Sequence, residues 1–470
     1  MSVTQQQITE WIGVGQSFME AGRYADAALA FGRVQEALPG VAAIATMAGQ
    51  AWELAHRTVE ARAAYREVWR HGNRSDIGAV YDLGTRLLAL GAPIEARECF
   101  DLVREKRPRD PAVWSALASA TRAAGAPDAG WPLVEQALAL GGEDPAFLLT
   151  AGQIRHAMGD LAGAAEWVAR AAAMRPGHAG TRLQQAFTSL LGGVSRAGWE
   201  LFEARPRPDV WPGTRDWQGE PLDGARLLVV CEQGFGDQFH FLRFLPRLAA
   251  AGTGDVMVAC APSLVGLLRA NGIAAFAFDD VPSAEWSVPL LSLPHRLKLH
   301  VDMGGEGTPY LLAPNPASPD RSSSSGPLRL GLVWQGNPEF RATLLRDLDA
   351  DSLALLAAVG GVEWISLQYG TDIPRGLPIT AMPPCRDWAD TADLLVTLDG
   401  VVSVDTSIAH LAGAMGIPTW ILLPHAPDWR WGLEGESTAW YRSARLVRQP
   451  ASLDWAGAIR HLHGLLSRLA

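Results

Sequence analysis

The chain has 470 residues, 48% of them apolar and 19% charged, with a formal net charge of −10. This composition excludes a disordered chain, and the length exceeds one ordinary core, so about two or three domains are expected. The acidic balance argues against nucleic acid or an anionic membrane as a partner, while leaving room for a local basic patch.

The opening stretch, MSVTQQQITEWIG, has neither a basic n-region nor an apolar h-region, and no apolar run is long enough to span a bilayer. Cys99, Cys231, Cys260 and Cys385 are scattered with no CxxC pair. That pattern disfavours a disulfide framework or a structural metal site and suits a reducing compartment. A cytoplasmic location without integral membrane association is the expectation.

The first part of the chain repeats. Trp11, Gly15, Phe18, Ala27, Phe31 and Pro39 fall at the offsets of a helix–turn–helix repeat with a period of about 34 residues. Gly49, Trp52, Ala61 and Tyr65 form the next copy, and Gly84, Ala96, Phe100 and Pro108 the one after. Weaker copies hold Ala118 with Ala137, then Gly152, Ala164, Ala171 and Pro176, and a last one holds Gly198 and Phe202. Small residues let paired helices approach, aromatics fill the gap between pairs, and prolines stop the second helix. This pattern resembles the tetratricopeptide repeat family, which implies an α-solenoid over 1–205 whose concave face binds peptides or protein surfaces. A stack that only braces the next domain is the alternative.

The grammar changes at the Pro-rich joint ARPRPDVWPG. ARLLVVC (225–231) and DVMVAC (255–260) read as strands, FLRFLPRLAAAG as an amphipathic helix closed by glycine, and SLVGLLRANG as a further helix. This is βαβ grammar and predicts parallel sheet. LAPNPASPDRSSSSGP (312–327) reads as a flexible linker. Beyond it LRLGLVWQG, VEWISLQ, GVVSV and TWILLP are strands, with helices DSLALLAAVG, ADTADLLVTLD and DTSIAHLAGAMG between them. Two αβ halves predict two nucleotide-fold lobes, one over 206–318 and one over 319–470. Ligands in such sheets bind beyond the carboxyl ends of the strands.

The strand-to-helix turn VVSVDTSIAHLAGA therefore carries the first candidates. Asp405, Thr406 and Ser407 sit where free backbone N–H groups and the helix dipole favour an anion, and His410 lies one turn on from Thr406. Asp405 repels phosphate, so it fits a helix cap or a partner for a ribose or sugar hydroxyl. A plain N-cap is the simpler reading of the same residues.

VVSVDTSIAHLAGAMGIPTWILLPHAPDWRW, VCEQGFGDQFHFLRFLPRL, LGLVWQGNPEFR and WISLQ together resemble bacterial glycosyltransferases of the heptosyltransferase-like group (glycosyltransferase family 9-like), nearest to members with N-terminal tetratricopeptide repeats. The resemblance covers roughly 200–470 and implies a GT-B fold with two Rossmann-like lobes, an acceptor lobe and then a donor lobe. It also implies a C-terminal helix, DWAGAIRHLHGLL, that returns to the first lobe. The activity implied is an inverting, metal-independent transfer from a nucleotide sugar used as co-substrate, with no cofactor.

Carried over, Asp405, Thr406, Ser407 and His410 fall on the nucleotide-sugar diphosphate motif. Asp237 falls on the catalytic base, behind Gly234 and Gly236, which let the acceptor approach the backbone. His240 is the alternative base. Arg341 lies near the position of a phosphate-binding basic residue, with Arg346 competing for that alignment. Gln335 belongs to the same loop, and Gln368 closes a strand where it meets either the nucleotide or a strand end. Asp390 and Thr391 start a helix. PDWRW supplies either a stacking or phosphate contact or aromatic packing between lobes.

The repeats imply a polypeptide acceptor, flagellin being one candidate by analogy. The alternatives are a heptosyltransferase-like enzyme acting on a lipopolysaccharide or polysaccharide acceptor, a non-catalytic scaffold with a degenerate transferase domain, and an epimerase of the same fold. Donor base, sugar, acceptor and oligomeric state are not encoded in these motifs.

Overall fold

The computed structural model describes residues 3–252, 254–299, 309–316, 326–338 and 343–468. It divides into two compact units, Met1–Arg175 with Asn337–Leu345, and Pro176–Gly336 with Arg346–Ala470.

The first unit is helical. Its helices are α1 (Gln5–Glu20), α2 (Tyr24–Ala37), α3 (Ala42–Leu54), α4 (Thr58–His71), α5 (Ile77–Ala89), α6 (Pro93–Lys106), α7 (Pro111–Ala123), α8 (Pro127–Gly141), α9 (Pro145–Ala157) and α10 (Leu161–Met174). They pair in sequence order, and each pair closes on a small residue. A Cβ added at Gly15 would lie 2.5 Å from Phe31, at Gly49 2.8 Å from Tyr65, at Gly84 2.9 Å from Phe100, and at Gly152 2.4 Å from Val168. Ala118 holds the same place in the fourth pair and is fully buried. The second helix of a pair is therefore seated directly against the backbone of the first.

Local signals set the helix ends. Asp76, Asp110 and Asp144 cap α5, α7 and α9 through the N–H groups of Ala79, Ala112 and Ala146. The turn inside a pair needs a left-handed residue. Gly22, Gly91, Gly125 and Gly159 supply it, at φ +71°, +76°, +89° and +79°, and His56 takes the same place at φ +57°. The insert Asn337–Leu345 groups with these helices, and Arg62 donates to the Pro338 carbonyl at 3.1 Å.

The second unit starts with a helix pair that continues the repeat pattern, α11 (Ala179–Leu191) and α12 (Arg196–Phe202). His178 caps α11 in the place the aspartates hold earlier. The sequence puts the end of the solenoid at 205, whereas the compact division falls after Arg175. The reason is packing: Trp199 and Phe202 of α12 meet Phe241 and Trp429 at ring distances of 5.3–6.4 Å. Arg205, just past α12, is buried and bonds Glu232 at 2.5 Å and Glu203 at 2.8 Å.

Next come β1 (Arg215–Asp216), β2 (Leu227–Val230), α13 (Phe235–Leu242), β3 (Val256–Cys260), α14 (Pro262–Ala270), β4 (Ala274–Ala277), β5 (Trp286–Pro289) and α15 (Leu293–Arg296). The strands form a parallel sheet in the order β1-β5-β2-β3-β4. The expected helix FLRFLPRLAAAG does not form as one element. α13 begins earlier, at Phe235, and Leu245–Ala251 is a 3-10 stretch. Pro246 lacks the N–H that an α-helix needs there.

The second sheet is built from β6 (Leu328–Val333), α16 (Thr343–Arg346), α17 (Ala350–Ala357), β7 (Val362–Ser366), β8 (Ile379–Thr380), α18 (Trp388–Leu395), β9 (Gly400–Val404), α19 (Ser407–Ala414), β10 (Thr419–Leu423), β11 (Ala444–Arg448) and α20 (Trp455–Leu466). It too is parallel, in the order β11-β10-β9-β6-β7-β8. β9 and β10 are buried along their whole length, as parallel strands covered on both faces must be.

The last helix does not follow the expectation that it returns to the first lobe. Trp455, Ala458, Ile459, Leu462 and Leu466 of α20 join the apolar core of the second sheet with Leu330, Leu353, Trp364 and Val447. Most of the expected serine-rich linker, 317–325, lies outside the described residues. Its beginning is tied down, with Leu312 N–H donating to Asn271 Oδ1 at 2.7 Å.

Candidate functional site

Two strand-to-helix turns of the second unit meet. β2 is followed by Cys231 and Glu232, and Gln233 takes a left-handed φ of +56° that turns the chain into α13. Gly234 is the N-cap and donates its N–H to Asp237 Oδ2 at 3.3 Å. The other Asp237 oxygen forms an ion pair with Arg430, whose side chain is 7% exposed against 27% for Asp237. Asp237 thus caps α13, as its position at the helix start allows, and also faces a buried cation.

β9 leads into α19 through Asp405 and Thr406. Thr406 is the N-cap but supplies no side-chain capping bond. Its hydroxyl pairs with Ser403 Oγ at 2.9 Å instead. Among the described residues no side chain is seen to cap the leading N–H groups of α19, and Thr406 and Ser407 are half-buried beside them. Gly236 explains why the two turns come so close. A Cβ there would lie 2.9 Å from His410 Cδ2 and 3.4 Å from Ser407 Cα. The first turn of α13 rests on the first turn of α19.

His410 and His240 lie beneath this contact. His410 is 4% exposed and stacks on Trp431 with ring centres 5.2 Å apart. Its Nε2 is 3.5 Å from Asp405 Oδ1, and its Nδ1 is 2.8 Å from the Tyr441 hydroxyl. Burial pushes the Asp405 carboxyl up, but the His410 hydrogen bond and charge, the Trp431 indole and Arg346 outweigh it and hold the group below the usual carboxylate range. His240 is fully buried among Phe241, Trp429 and Trp440, with Nδ1 3.1 Å from Tyr441 Oη. Burial, helped by the charges of Arg243, Arg430 and His410, pushes its pKa well below the ordinary histidine value. A ring enclosed in this way does not reach an incoming hydroxyl, so of the two candidate bases Asp237 is the accessible one.

Arg341 lies outside the described residues. Arg346, its competitor in the sequence, is at the site. Its Nη1 donates to the Asp405 carbonyl at 3.1 Å, and its guanidinium lies where a Gly336 Cβ would be, 1.6 Å away. Arg430 is the second cation. It bonds Asp428 at 2.7 Å as well as Asp237, and it lies 4.4 Å from the Trp429 ring centre. Burial, followed in size by the pull of Arg430 and the push of Asp405, leaves the Asp428 carboxyl raised.

Gln368 acts as a backbone clamp, its Oε1 accepting from the N–H groups of Trp334 at 3.3 Å and Gln335 at 3.0 Å. This ties the carboxyl ends of β6 and β7 together. A cavity of about 560 Å³ opens beside it, lined by Ser366, Gln368, Tyr369, Asp372, Arg375 and Met382. α18 is capped by Asp387, with Asp390 paired to Arg386 at 2.8 Å. Among the described residues no group of three or more His, Cys, Asp or Glu is arranged to hold a metal. None of the described helices is long and apolar enough to cross a membrane.

Sequence reasoning passed over Tyr441, Arg243 and Asp428, and it left Arg430 as one of several readings of PDWRW. In the fold Trp429 is interior packing, whereas Arg430 faces the Asp237 carboxylate. Nothing local in the sequence links Tyr441 to His240 or Arg243 to Tyr310, because these contacts join residues far apart in the chain.

The tetratricopeptide repeat family matches residues 15–70. With the helix pairs described above, this establishes tetratricopeptide repeats in the N-terminal part. Protein FlbA of Caulobacter vibrioides is 25% identical over 331 residues, which cover 56% of this chain and 51% of that protein. The chain therefore spans about half the length of the curated relative it matches. Among solved structures, a tetratricopeptide repeat protein from Parabacteroides merdae is 13% identical, with 53% of this chain and 88% of that chain covered and a TM-score of 0.34. YrrB, described as a TPR protein with an unusual peptide-binding site, is 17% identical, with 36% and 88% covered and a TM-score of 0.29.

Proposed function

We propose that the protein is a glycosyltransferase of GT-B fold that moves a sugar from a nucleotide sugar to an acceptor hydroxyl on a polypeptide recruited by the repeats. The observation that carries this reading is the contact between the first turns of α13 and α19 at Gly236. It sets the Asp237 carboxylate beside a helix N-terminus that the Thr406 N-cap side chain leaves uncapped, with Arg346 and Arg430 next to them. An inverting transfer needs a carboxylate base on the acceptor side and positive potential on the departing diphosphate, and these are the groups present. Asp405, kept ionised, suits a donor hydroxyl, while the α19 N–H groups with Thr406 and Ser407 suit the diphosphate. The cavity beside Gln368 has room for the nucleoside.

The repeats supply the partner surface, since tetratricopeptide solenoids take peptides on their concave face. A scaffold without catalysis is the second reading. It is favoured by the tie between Asp237 and Arg430, which leaves the base engaged unless a ligand displaces it.

The test is binding of a panel of nucleotide sugars by calorimetry. Replacing Thr406 and Ser407 together by Ala is expected to weaken binding by about 1–3 kcal/mol, the scale of hydrogen bonds lost to a charged group. A folded double variant that binds as tightly as the parent, or a parent that binds none of the panel, removes the transferase reading and leaves the scaffold.

A further inference from the structure

Arg66, Arg86, Arg104, Arg155 and Arg170 on the repeat helices each form an ion pair, with Glu95, Glu53, Asp101, Asp160 and Glu143 in turn. Arg122, in the last turn of α7, does not. Among the described residues no carboxylate pairs with it, and its Nε is closed off from water without a partner. The residue as a whole is half-buried, and neither Nη shares the condition of Nε. The inner part of the guanidinium is therefore enclosed, while its outer edge, with both Nη groups, reaches water.

The surroundings do not neutralise this charge. Burial pushes the Arg122 guanidinium below the usual arginine range, with no acid near enough to raise it again. On α9 the neighbouring His156 is pushed down to about 4, by burial first and then by the Arg122 charge, so it is neutral at physiological pH. α7 and α9 are the first helices of their pairs and meet directly, Ser115 and Ser119 of α7 reaching Thr150 of α9 at 3.2 and 3.4 Å. Ser115, Ser119 and Arg122 share a face of α7, at i, i+4 and i+7. The surface shared by successive first helices runs along the solenoid, and such stacks bind partners on extended surfaces of this kind.

Held in this way, Arg122 is a cost to the fold. Enclosing part of a charged group without a counter-ion carries a desolvation penalty that an ion pair offsets. Its stem covers apolar surface, but a methionine covers the same surface without the charge. The arrangement does supply a fixed donor edge, two Nη groups in one orientation that match both oxygens of a carboxylate. Ordering that edge in advance lowers what binding must spend on it. Repeat helices lie on both sides along the chain, α1 to α6 before and α9 and α10 after. A polypeptide lying along this surface runs past Arg122, so the carboxylate it presents there is a side chain and not a chain end.

We propose that Arg122 anchors a bound polypeptide by an aspartate or glutamate side chain, on the surface that α7 and α9 share. Ser119, one turn before Arg122, borders the same place, and His156 stays neutral and does not compete for the acid. This contact rests on the recruitment of a polypeptide by the repeats proposed above, and it does not depend on sugar transfer.

The experiment selects short random peptides, displayed on phage, on the full chain without nucleotide sugar. Selected peptides are then made with acetylated and amidated ends, and binding is read by fluorescence anisotropy. The expected result is an Asp or Glu that recurs at one position. Exchanging it for Asn or Gln, or Arg122→Met in the protein, is expected to weaken binding by about tenfold or more, and both changes together no further than either alone. Arg122→Met keeps the stem and sheds the charge, so its melting temperature is expected at or above that of the parent. A packing role predicts the reverse pattern, a lower melting temperature with peptide binding unchanged. Peptides with no recurring acid, peptides that need a free terminal carboxylate, or a library that yields no binder also overturn the proposal. If Arg122→Met does not fold, Arg122→Lys decides. It keeps the charge but not the two-pronged edge, and binding of the acidic peptide as tight as the parent's overturns the proposal. A chain that takes acidic peptides through Arg122 but binds no nucleotide sugar loses the transferase reading and keeps this contact. Failure of the peptide test leaves donor binding and transfer to be judged by their own assays.

Discussion

The two units differ in how deeply they bury their ion pairs. In the repeats the ion pairs are at least partly open to water, whether local, as in Arg23 with Asp26 and Arg104 with Asp101, or between helices, as in Arg86 with Glu53 and Arg66 with Glu95. The sheet-bearing unit has exposed pairs too, as in Arg386 with Asp390, but it alone adds a deeply buried one among the described residues, Arg205 with Glu232, whose side chains are 1% and 3% exposed, and it buries the cation of Arg430 with Asp237. Exposed pairs contribute about 0–1 kcal/mol, but removing one partner of a buried pair costs about 3–5 kcal/mol. Losing one charge of an exposed pair in the repeats is therefore a small change, whereas losing one partner of the buried Arg205–Glu232 pair is a large one.

The sharpest way to break this comparison is to cut the chain. A fragment starting at Pro206 lacks Trp199, Phe202 and Arg205, which are all buried in the second unit. It is expected to lose cooperative unfolding in a thermal melt followed by circular dichroism, while a fragment starting at Pro176 keeps it. Equal melts for the two fragments place α11 and α12 with the solenoid after all.

Next in size is Arg205→Ala. Glu232 and Glu203 lose their shared cation, and Glu232 is left buried with only the Leu291 N–H on its Oε1. Urea unfolding should show a loss of about 3–5 kcal/mol. Arg23→Ala in the repeats should change stability by less than about 1 kcal/mol in the same assay. Similar losses for the two variants contradict the contrast drawn here.

The smallest effect comes from the repeat turn at His56, the one place in the series Gly22, His56, Gly91, Gly125, Gly159 where a side chain occupies the left-handed slot. His56→Gly relieves about 1–2 kcal/mol of backbone cost and returns part of it as unfolded-chain entropy, so a net gain of a few tenths of a kcal/mol is expected. A clear loss in thermal unfolding shows that the His56 side chain holds more than a turn.

The same contrast governs what the sequence disclosed. Gly15 with Phe31, Gly49 with Tyr65 and Gly84 with Phe100 recur at one spacing because each repeat packs on its neighbour, so the pattern survives in one dimension. The parallel strands were legible for a similar reason: LLVV and TWILL are short, fully buried runs bounded by turns. The extent of the helix after β2 was misread because Pro246 falls inside an otherwise helical apolar pattern. The compact division falls before α11 and not at 205, because the aromatic face of α12 meets Phe241 and Trp429, which the repeat pattern does not disclose. At the site, Asp237, Asp405 and Thr406 were visible as residues at helix starts. Arg430 was visible only as one reading of PDWRW, and its pairing with Asp237 was not visible, because that pair joins residues far apart in the chain. Gln368, offered by the sequence as a nucleotide contact or a capping amide, has its oxygen spent on the backbone of Trp334 and Gln335.

The most direct test of the proposed chemistry is sugar transfer by Asp237→Asn. Asparagine keeps an oxygen for the Gly234 N–H, and Arg430 keeps Asp428, so the site stays assembled while the base is lost. With a nucleotide sugar that the parent protein binds and turns over, the variant is predicted to bind the donor normally and to transfer about 10²–10⁴ times more slowly. Transfer at close to the parent rate contradicts the assignment of Asp237 as the base and the site built around it.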